Sequence, residues 1–428
     1  MNKLSVQNID LLGARIIDPV ENIDEVRDLF IRDGTLLHCD DGIKKAEKKY
    51  QLKDHTILPG LLDLRTHNRV PGAVKSENMK SLTRAAARGG FSSILTMPNT
   101  NPASDNPATI LYIQDRIKQY SSIKVFLSGC LTLQSKGISI APLGSLKEVG
   151  VIAVSDCPRT PSNNQIFLNA LKYAKMFDLT VIDFPQDSYL STDTDVHESA
   201  LSLKLGLRGN PRLAEELAVQ RSILISSHLD IPIHLSSLSS KGSVSLVKKA
   251  KEDGIKITSD VSAHHLLFTQ EKISSYQNCS KLYPPLREEI DRDALLEGLK
   301  NGYIDACNSS HDPYADHLHD IEFDLAPMGA IGLETAVSCF IEALRLKDPY
   351  PELALKMSSN PHRILGLKLP SLVPGGEADL VIIKNHEPWT YDCFNGESLS
   401  HNSPLHGHLF SSKVVMTVSS GKIAYTNI

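Results

Sequence analysis

The chain of 428 residues is poor in several features that mark particular classes of protein. It has a single tryptophan and 6% aromatic residues, and nowhere do five or more charges of one sign run together. With 45 basic residues against 50 acidic ones the formal net charge is −5. That balance leaves no electrostatic footprint for nucleic acid or for an anionic membrane surface. No apolar stretch of about 18 residues is present to span a bilayer, and the opening MNKLSVQNIDLLGARIID lacks the continuous apolar core of a signal peptide. The seven cysteines (Cys39, Cys130, Cys157, Cys279, Cys307, Cys339, Cys393) are scattered, odd in number and free of any CxxC pair. A disulfide framework and a zinc ribbon are therefore not expected, and a reducing cytoplasm is. Internal repeats and low-complexity tracts are also missing.

What remains is the profile of an ordinary globular chain, 41% hydrophobic and 22% charged, with 25 glycines and 23 prolines. Surface scaling for 47.0 kDa leaves roughly 16,000 Å² exposed, about a quarter of the unfolded surface. The 16 histidines raise an expectation of metal chemistry, because neutral imidazole is a common ligand near neutral pH.

From about residue 55 the chain alternates apolar, β-branched runs with longer stretches of helical spacing. The runs are His55–Leu62, Phe91–Met97, Ile123–Ser128, Val151–Ser155, Leu179–Phe184, Ile231–Ser237, Ile255–Val261 and Tyr303–Asn308. Between them Lys80–Arg88, Ala108–Gln119, Asn164–Phe177, Arg212–Ser227, Gly242–Asp253 and Arg292–Asn301 repeat apolar residues at i, i+3 and i+4. Strands without polar alternation are buried on both faces, as in a parallel sheet, and eight of them predict a closed (β/α)8 TIM barrel over residues 55–365 with a long fifth-to-sixth crossover. The flanks read as antiparallel β: Leu11–Ile17, Leu29–Ile31 and Leu36–His38 at one end, Asp379–Ile383, Val414–Val418 and Ile423–Tyr425 at the other. A composite β-sandwich built from residues 1–54 and 366–428 accommodates them.

In such a barrel chemistry belongs at the C-terminal strand ends. The first strand ends in LPGLLDLRTHNRVPG (58–72), and RAAARGGFSSILTMPNTNPASD (84–105) follows. Both segments resemble type I dihydroorotases of the amidohydrolase superfamily. The resemblance runs on through PRLAEELAVQR (211–221), IHLSSLSSKGSVSLVKKAKEDGIKITSDVSAHHLLFT (233–269), KLYPPLREEIDRDALLEGLKNGYIDACNSSHDP (281–313), APMGAIGLETAV (326–337), NPHRILGL (360–367), GGEADLVII (375–383) and NSPLHGHLF (402–410). It is essentially full-length.

What the resemblance implies about chemistry is a divalent metal pair, or one metal in some members, held by imidazoles and carboxylates. The metal lowers the pKa of a bound water and polarises the ring amide. Carried over position by position, the first histidine of the His-x-His falls at Arg65 and the second survives as His67. The fifth-strand histidine falls at Phe184, the sixth-strand histidine at Ser237, and the aspartate that serves as general base at Ser310. The acidic pair after the fourth strand reads Ser155, Asp156, Cys157, with one carboxylate of open role, and Asp187 alone matches in its motif; His234 matches a histidine that is not a ligand. One imidazole beside a fixed guanidinium is a poor metal site. A neighbouring carboxylate such as Asp63 or Asp156 is the expected counter-charge for Arg65.

A second set is kept. Arg69, Asn99 and His311 stand where the family binds the substrate carboxylate, a vestigial site of guanidinium, amide and imidazole, although Tyr283 replaces a substrate-contacting asparagine. The remaining histidines read as structural. His264 and His265 match a structural pair, with Ala263 in place of the family's proline. His317 and His319, with Asp316 and Asp320, belong to a polar surface loop, and His401, His406 and His408 are expected to face solvent. Trp389 is expected to pack.

These readings converge on an expectation of a catalytically inactive dihydroorotase homologue. Such a chain has no cofactor and serves as an assembly subunit for the catalytic chain of aspartate carbamoyltransferase, with self-association, as is known for family members that have lost their ligands. The competing expectations are an active dihydroorotase with zinc in a degenerate site drawn from His67, Asp156, Asp187 and the 316–320 loop, and a sensor binding a carboxylate through Arg69, Asn99 and His311.

Overall fold

Eight short strands form a parallel, near-closed barrel in the computed structural model, which describes residues 7–37 and 45–428. They are Leu61–His67, Phe91–Met97, Lys124–Cys130, Ala153–Ser155, Thr180–Asp183, Ile233–Leu235, Ile257–Ser262 and Ala306–Asn308, each paired with the next in chain order. His38 and Cys39 lie outside the described residues.

The absence of polar alternation in these runs has a direct cause. Leu62, Leu64, Leu95, Met97, Ala153, Ile182, Phe184 and Ala306 fill the barrel interior. Their neighbours Leu61, Ile94, Val154 and Val181 pack outward under the helices, so both faces of the first, second, fourth and fifth strands carry apolar residues, while the sixth and seventh strands bury His234 and Asp260 between theirs. The helices follow the expected spacing, among them Met79–Arg88, Pro107–Tyr120, Asn164–Lys175, Arg212–Leu229, Lys241–Glu252 and Glu289–Lys300. Asn78 caps the first of these by accepting from the backbone N–H of Ser81, whose hydroxyl answers the backbone N–H of Asn78. The long fifth-to-sixth crossover contains a two-stranded parallel pair, Val196–His197 with Gly209–Asn210.

The barrel closes between its first and eighth strands by polar contacts rather than by a full ladder. Asp63, fully buried, accepts from the Ser309 N–H at 2.6 Å, the Ser309 hydroxyl at 2.8 Å and the Thr66 hydroxyl at 2.5 Å. The His67 N–H donates to the His311 carbonyl at 2.9 Å.

Both chain ends combine in one eight-stranded sheet. In order across it run Lys422–Thr426, Lys413–Ser419, Leu380–Lys384, His55–Pro59, Ile9–Asp18, Ile23–Arg32 and Thr35–Leu37, with Lys48–Gln51 beside Ile9–Asp18. Ile57 pairs with Ile16 on one side and Ile382 on the other. Side chains from strands far apart in this order, such as Leu29, Ile31, Met416 and Val418, share one apolar cluster, so the sheet curls over its own core. Its outer turns meet, and a Cβ on Gly421 would lie 2.1 Å from the Gly34 Cα.

The first apolar run thus serves two sheets. His55–Pro59 belongs to the terminal sheet, Leu61–His67 to the barrel, and Gly60 is the handover between them. A Cβ at Gly60 would stand 2.2 Å from the Ser92 hydroxyl and 2.9 Å from the Asp379 Cβ, which is why no side chain is accommodated there. Total exposed surface is 16911 Å², close to the scaling expectation. Among the described residues no helix is long and apolar enough to cross a membrane.

Candidate active site at the barrel mouth

The strand ends converge on Arg65. Its side chain leaves the first strand and is 1% exposed. Nη1 donates to the Ser237 hydroxyl at 3.0 Å and the Ser310 hydroxyl at 2.9 Å, and Nη2 donates to the Tyr283 carbonyl at 3.0 Å. The guanidinium carbon stands 4.6 Å from the centre of the Phe184 ring, and that ring lies 5.1 Å from Tyr283. One side chain therefore ties together the ends of the first, fifth, sixth and eighth strands and the loop after the seventh. Ser237 and Ser310 hold their hydroxyls from left-handed backbone, at φ 60° and 49°, a conformation that costs a non-glycine residue about 1 to 2 kcal/mol.

Arg65 forms no ion pair with a carboxylate among the described residues, and its Nε–H has no partner. The expected counter-charges are engaged elsewhere. Asp63 closes the barrel seam, and Asp156 accepts from the Thr132 N–H at 2.9 Å and the Thr132 hydroxyl at 2.5 Å. Burial pushes the Asp156 carboxyl up to about 6, against the hydrogen bonds from Thr132. The Cys157 thiol is pushed up to about 11 by burial, with Arg65 acting in the opposite direction.

His67 is fully buried beside this cluster. Its Nδ1 meets the Asn99 Oδ1 at 2.8 Å, leaving Nε2 without a hydrogen-bond partner and 3.9 Å from the Asp312 Oδ2. Burial pulls its pKa down to about 4, against the pull of Asp312, and Arg65 and Arg69 lower it further. A value so far below neutrality favours the uncharged imidazole, whose Nε2 faces Asp312.

Arg69, Asn99 and His311 are brought to the same mouth, and the chain itself takes up their polar atoms. Arg69 pairs with Asp312, donates to the Pro313 carbonyl at 3.0 Å and lies over the Tyr314 ring. Asn99 serves His67. His311 accepts from the Gly332 N–H at 3.3 Å through Nδ1, and its Nε2 is 3.4 Å from the fully buried Glu77. Asp312 and Glu77 were not anticipated as site residues. The only signal for Asp312 is an acid directly after His311, and Glu77 carries none.

Other expected positions stay apart. Asp187 accepts from the N–H groups of Tyr189 and Leu190 at 3.0 Å each and so caps a turn. His234 is held by Thr258 and, at 3.1 Å, by Asp260. His264 and His265 are buried, as expected of structural residues. His401 meets Asp316 at 2.9 Å and His408 meets Glu342 at 2.9 Å, so neither is simply solvated. The 316–320 loop borders a cleft of 350 Å³ with Cys279, Phe394 and Asn402. Trp389 packs against Tyr391 and Phe410.

A divalent ion held by imidazoles and carboxylates does not fit this mouth. Phe184 offers no donor atom, Ser237 and Ser310 offer neutral hydroxyls already receiving N–H groups, and the Arg65 cation fills the space between them. His67, Asp156, Asp187 and the 316–320 loop do not gather. Among the described residues, three or more metal-capable side chains come within 4.8 Å of one another at two other places, Asp392 with Cys393 and His406, and His197 with Glu288 and Asp291.

Comparison with known proteins adds a finding of another kind. A family described as dihydro-orotase-like matches residues 54–243. The dihydroorotase of Geobacter metallireducens is 36% identical over 424 residues, covering 98% of this chain and 99% of that protein. The dihydroorotase of Pelotomaculum thermopropionicum is 36% identical over 415 residues, covering 96% and 97%. Among solved structures, the L-hydantoinase (dihydropyrimidinase) from Arthrobacter aurescens superposes with a TM-score of 0.84 at 18% identity, covering 98% of this chain and 96% of that one. The dihydropyrimidinase from Brevibacillus agri gives 0.83 at 18% identity, covering 98% and 95%. These structures speak to the fold.

The full-length relatives correct three expectations. A catalytically inactive chain acting as an assembly subunit, and a chain that is not an enzyme, are both overturned, since the relatives aligned over nearly their entire length are named dihydroorotases. The expectation of no cofactor falls with them, because the activity the resemblance implies is metal-dependent and this chain holds two groups of metal-capable side chains. The physical reason is one of place: donors missing at the barrel mouth say nothing about donors gathered elsewhere.

Proposed function

Because the chain belongs to the dihydroorotase-like family, we propose that it is a cyclic amidohydrolase that opens dihydroorotate to N-carbamoyl-L-aspartate and closes it in reverse. The observation that carries this reading is the 36% identity to a dihydroorotase over 98% of the chain.

The reaction adds a water oxygen to the ring amide carbonyl, breaks the ring C–N bond and delivers a proton to the leaving nitrogen. It needs positive charge at the carbonyl oxygen, a proton acceptor near the water and an anchor for the substrate carboxylate. No step is assigned to a metal at the barrel mouth, because the donors there do not fit one. Arg65, with its unused Nε–H, supplies the positive charge. Asp312, 3.9 Å from His67 Nε2, accepts the proton of the water and passes it to the nitrogen. Arg69 anchors the substrate carboxylate once that carboxylate displaces Asp312 from it, which frees Asp312 for the proton.

The same proposal places the chain in the cytoplasm, consistent with the free thiols of its six described cysteines. It also associates the chain with the catalytic chain of aspartate carbamoyltransferase and with further copies of itself. The exposed stripe Leu213, Leu217 and Leu224 on the helix Arg212–Leu229 supports an association, and co-purification of the tagged chain with the transcarbamoylase tests it.

The activity test is a ring-opening assay on dihydroorotate with the full-length chain, before chelator treatment, after it, and with Zn²⁺ restored. Turnover is expected, with Asp312→Asn and Arg65→Met each reducing it by roughly a hundredfold or more. A wild-type rate equal to the protein-free blank under all three conditions sinks the proposal.

A further inference from the structure

Of the two groups of metal-capable side chains, one is already neutralised. Arg212 donates to Glu288 and, at 2.5 Å, to Asp291, so a cation is in place between the carboxylates beside His197. The other group has no such occupant. Among the described residues no lysine or arginine pairs with Asp392, whose one ionic neighbour is His406.

The spacing in this second group is that of a coordination polyhedron. Cys393 Sγ and His406 Nδ1 are 3.5 Å apart, and Asp392 Oδ1 and His406 Nδ1 are 3.5 Å apart. Tetrahedral zinc, with bonds of about 2.3 Å to sulfur, 2.05 Å to nitrogen and 2.0 Å to oxygen, requires edges of about 3.5 Å between sulfur and nitrogen and about 3.3 Å between oxygen and nitrogen. Two of the three edges therefore match those a metal requires, and the third, between Asp392 and Cys393, lies within 4.8 Å. Cys393 is buried, while Asp392 and His406 are 42% and 51% exposed in their side chains, which leaves a fourth position open to water.

The local fold explains why residues so far apart in sequence meet. Trp389–Thr390 pairs with Leu409–Phe410, and the Tyr391 N–H donates to the His408 carbonyl at 2.9 Å. The intervening loop is thus pinched at its base, with Asp392 and Cys393 on one side and His406 on the other. Asp392 also receives the Phe394 N–H at 3.0 Å, which fixes the turn carrying Cys393.

We propose that Asp392, Cys393 and His406 form a zinc-type divalent metal site, distinct from the barrel mouth, that clips the base of the 391–408 loop. On binding, the Cys393 thiol proton passes to solvent and the His406 imidazole enters through Nδ1. The clip matters to the mouth because the loop it closes holds the mouth's own walls. Asn402 donates to the carbonyls of Asp312 and Gly329 at 3.0 Å each, and Ser398 donates to Glu77 at 2.5 Å.

The test is titration of the full-length, chelator-stripped chain with Co²⁺. A thiolate-to-cobalt charge-transfer band should grow to saturation at one equivalent. Cys393→Ser should abolish it, His406→Ala and Asp392→Asn should weaken apparent affinity by roughly tenfold or more, and Cys157→Ser and Cys279→Ser should leave it unchanged. Asp392→Asn keeps a carbonyl for the Phe394 N–H and gives up only an exposed hydrogen bond from the Asn395 amide, so a folding defect is not expected to confuse its result. Proteolysis within 391–408 should also slow on Zn²⁺ addition in the wild type but not in Cys393→Ser. The absence of a charge-transfer band at excess Co²⁺, or a band that survives Cys393→Ser, overturns the proposal.

Discussion

Replacing Arg65 by methionine asks whether the guanidinium at the barrel mouth is there for stability. The variant keeps an unbranched stem against Phe184 and removes the charge and every donor. Three hydrogen bonds from a charged donor to neutral oxygens are lost, each contributing about 1.5 kcal/mol net at the lower end for a charged group, together with the stacking over Phe184 at 4.6 Å, about 2 kcal/mol when desolvated. Against this, a 1% exposed guanidinium without a carboxylate partner carries a desolvation penalty of several kcal/mol that the variant does not. Ser237 retains a partner, since the Asn308 amide donates to it at 3.0 Å. The opposing terms cancel to within about 2 kcal/mol. For 428 residues the unfolding entropy of about 0.9 kcal/mol/K makes that a shift of about 2 °C. Arg65→Ala loses the stem as well and leaves a cavity against Phe184, so it should melt lower by a further 2 to 5 °C, roughly. Thermal melts followed by circular dichroism give the comparison. A methionine variant melting more than about 5 °C below wild type would refute the reasoning, because the guanidinium would then be a net clamp with a counter-charge in the folded state.

Acid should destabilise the fold through its buried histidines. Burial holds His67, His197 and His265 at about 4 and His264 at about 3, all below the ordinary 6.5, so the unfolded chain binds more protons and stability falls as pH drops from about 6.5 toward 4. His319 and His362 are lowered by burial as well. Asp156, raised to about 6, works in the opposite sense together with Asp63, Glu334 and Asp379, whose carboxyls burial also raises, four groups against six. A urea midpoint at pH 5.5 equal to or above that at pH 7.5 would contradict this. At the barrel seam, Asp63→Asn puts an amide where two N–H or O–H donors from Ser309 converge and should cost about 2 to 4 kcal/mol, read as a melting shift of similar size in °C. Asp187→Asn, whose carbonyl can still receive both turn N–H groups, should shift the melt by less than about 1 °C.

How much of this could be read beforehand depended on whether a feature is local. The eight barrel strands were legible because burial on both faces removes alternation, a property each run shows by itself. The partition of His55–Leu62 between two sheets was not, since an apolar run that changes partners at Gly60 stays apolar throughout; only the close approach of Ser92 and Asp379 explains the glycine. The same contrast holds at the mouth. Arg65, Phe184, Ser237 and Ser310 could be identified by position, but not that Arg65 would find hydroxyls and a carbonyl instead of Asp63 or Asp156, because those carboxylates are recruited by backbone N–H groups of loops whose course no motif records.

The loop from 391 to 408 carries this one step further. Asp392 and Cys393 are adjacent, but His406 follows at no spacing associated with a metal motif, and in sequence it reads as one more solvent-facing imidazole. It becomes a candidate ligand only because a hairpin of two-residue strands returns the chain to its starting point. The mouth and the loop are then linked in one direction. Asn402 and Ser398 fix the main chain of Asp312 and the side chain of Glu77, so whatever orders the loop orders the two acids that face His67 and His311. A metal at the loop base would therefore support the mouth from outside it, while Arg65 occupies the centre that a metal would otherwise need. Cobalt binding at Cys393 and dihydroorotate turnover then become separable observations, one able to fail without the other.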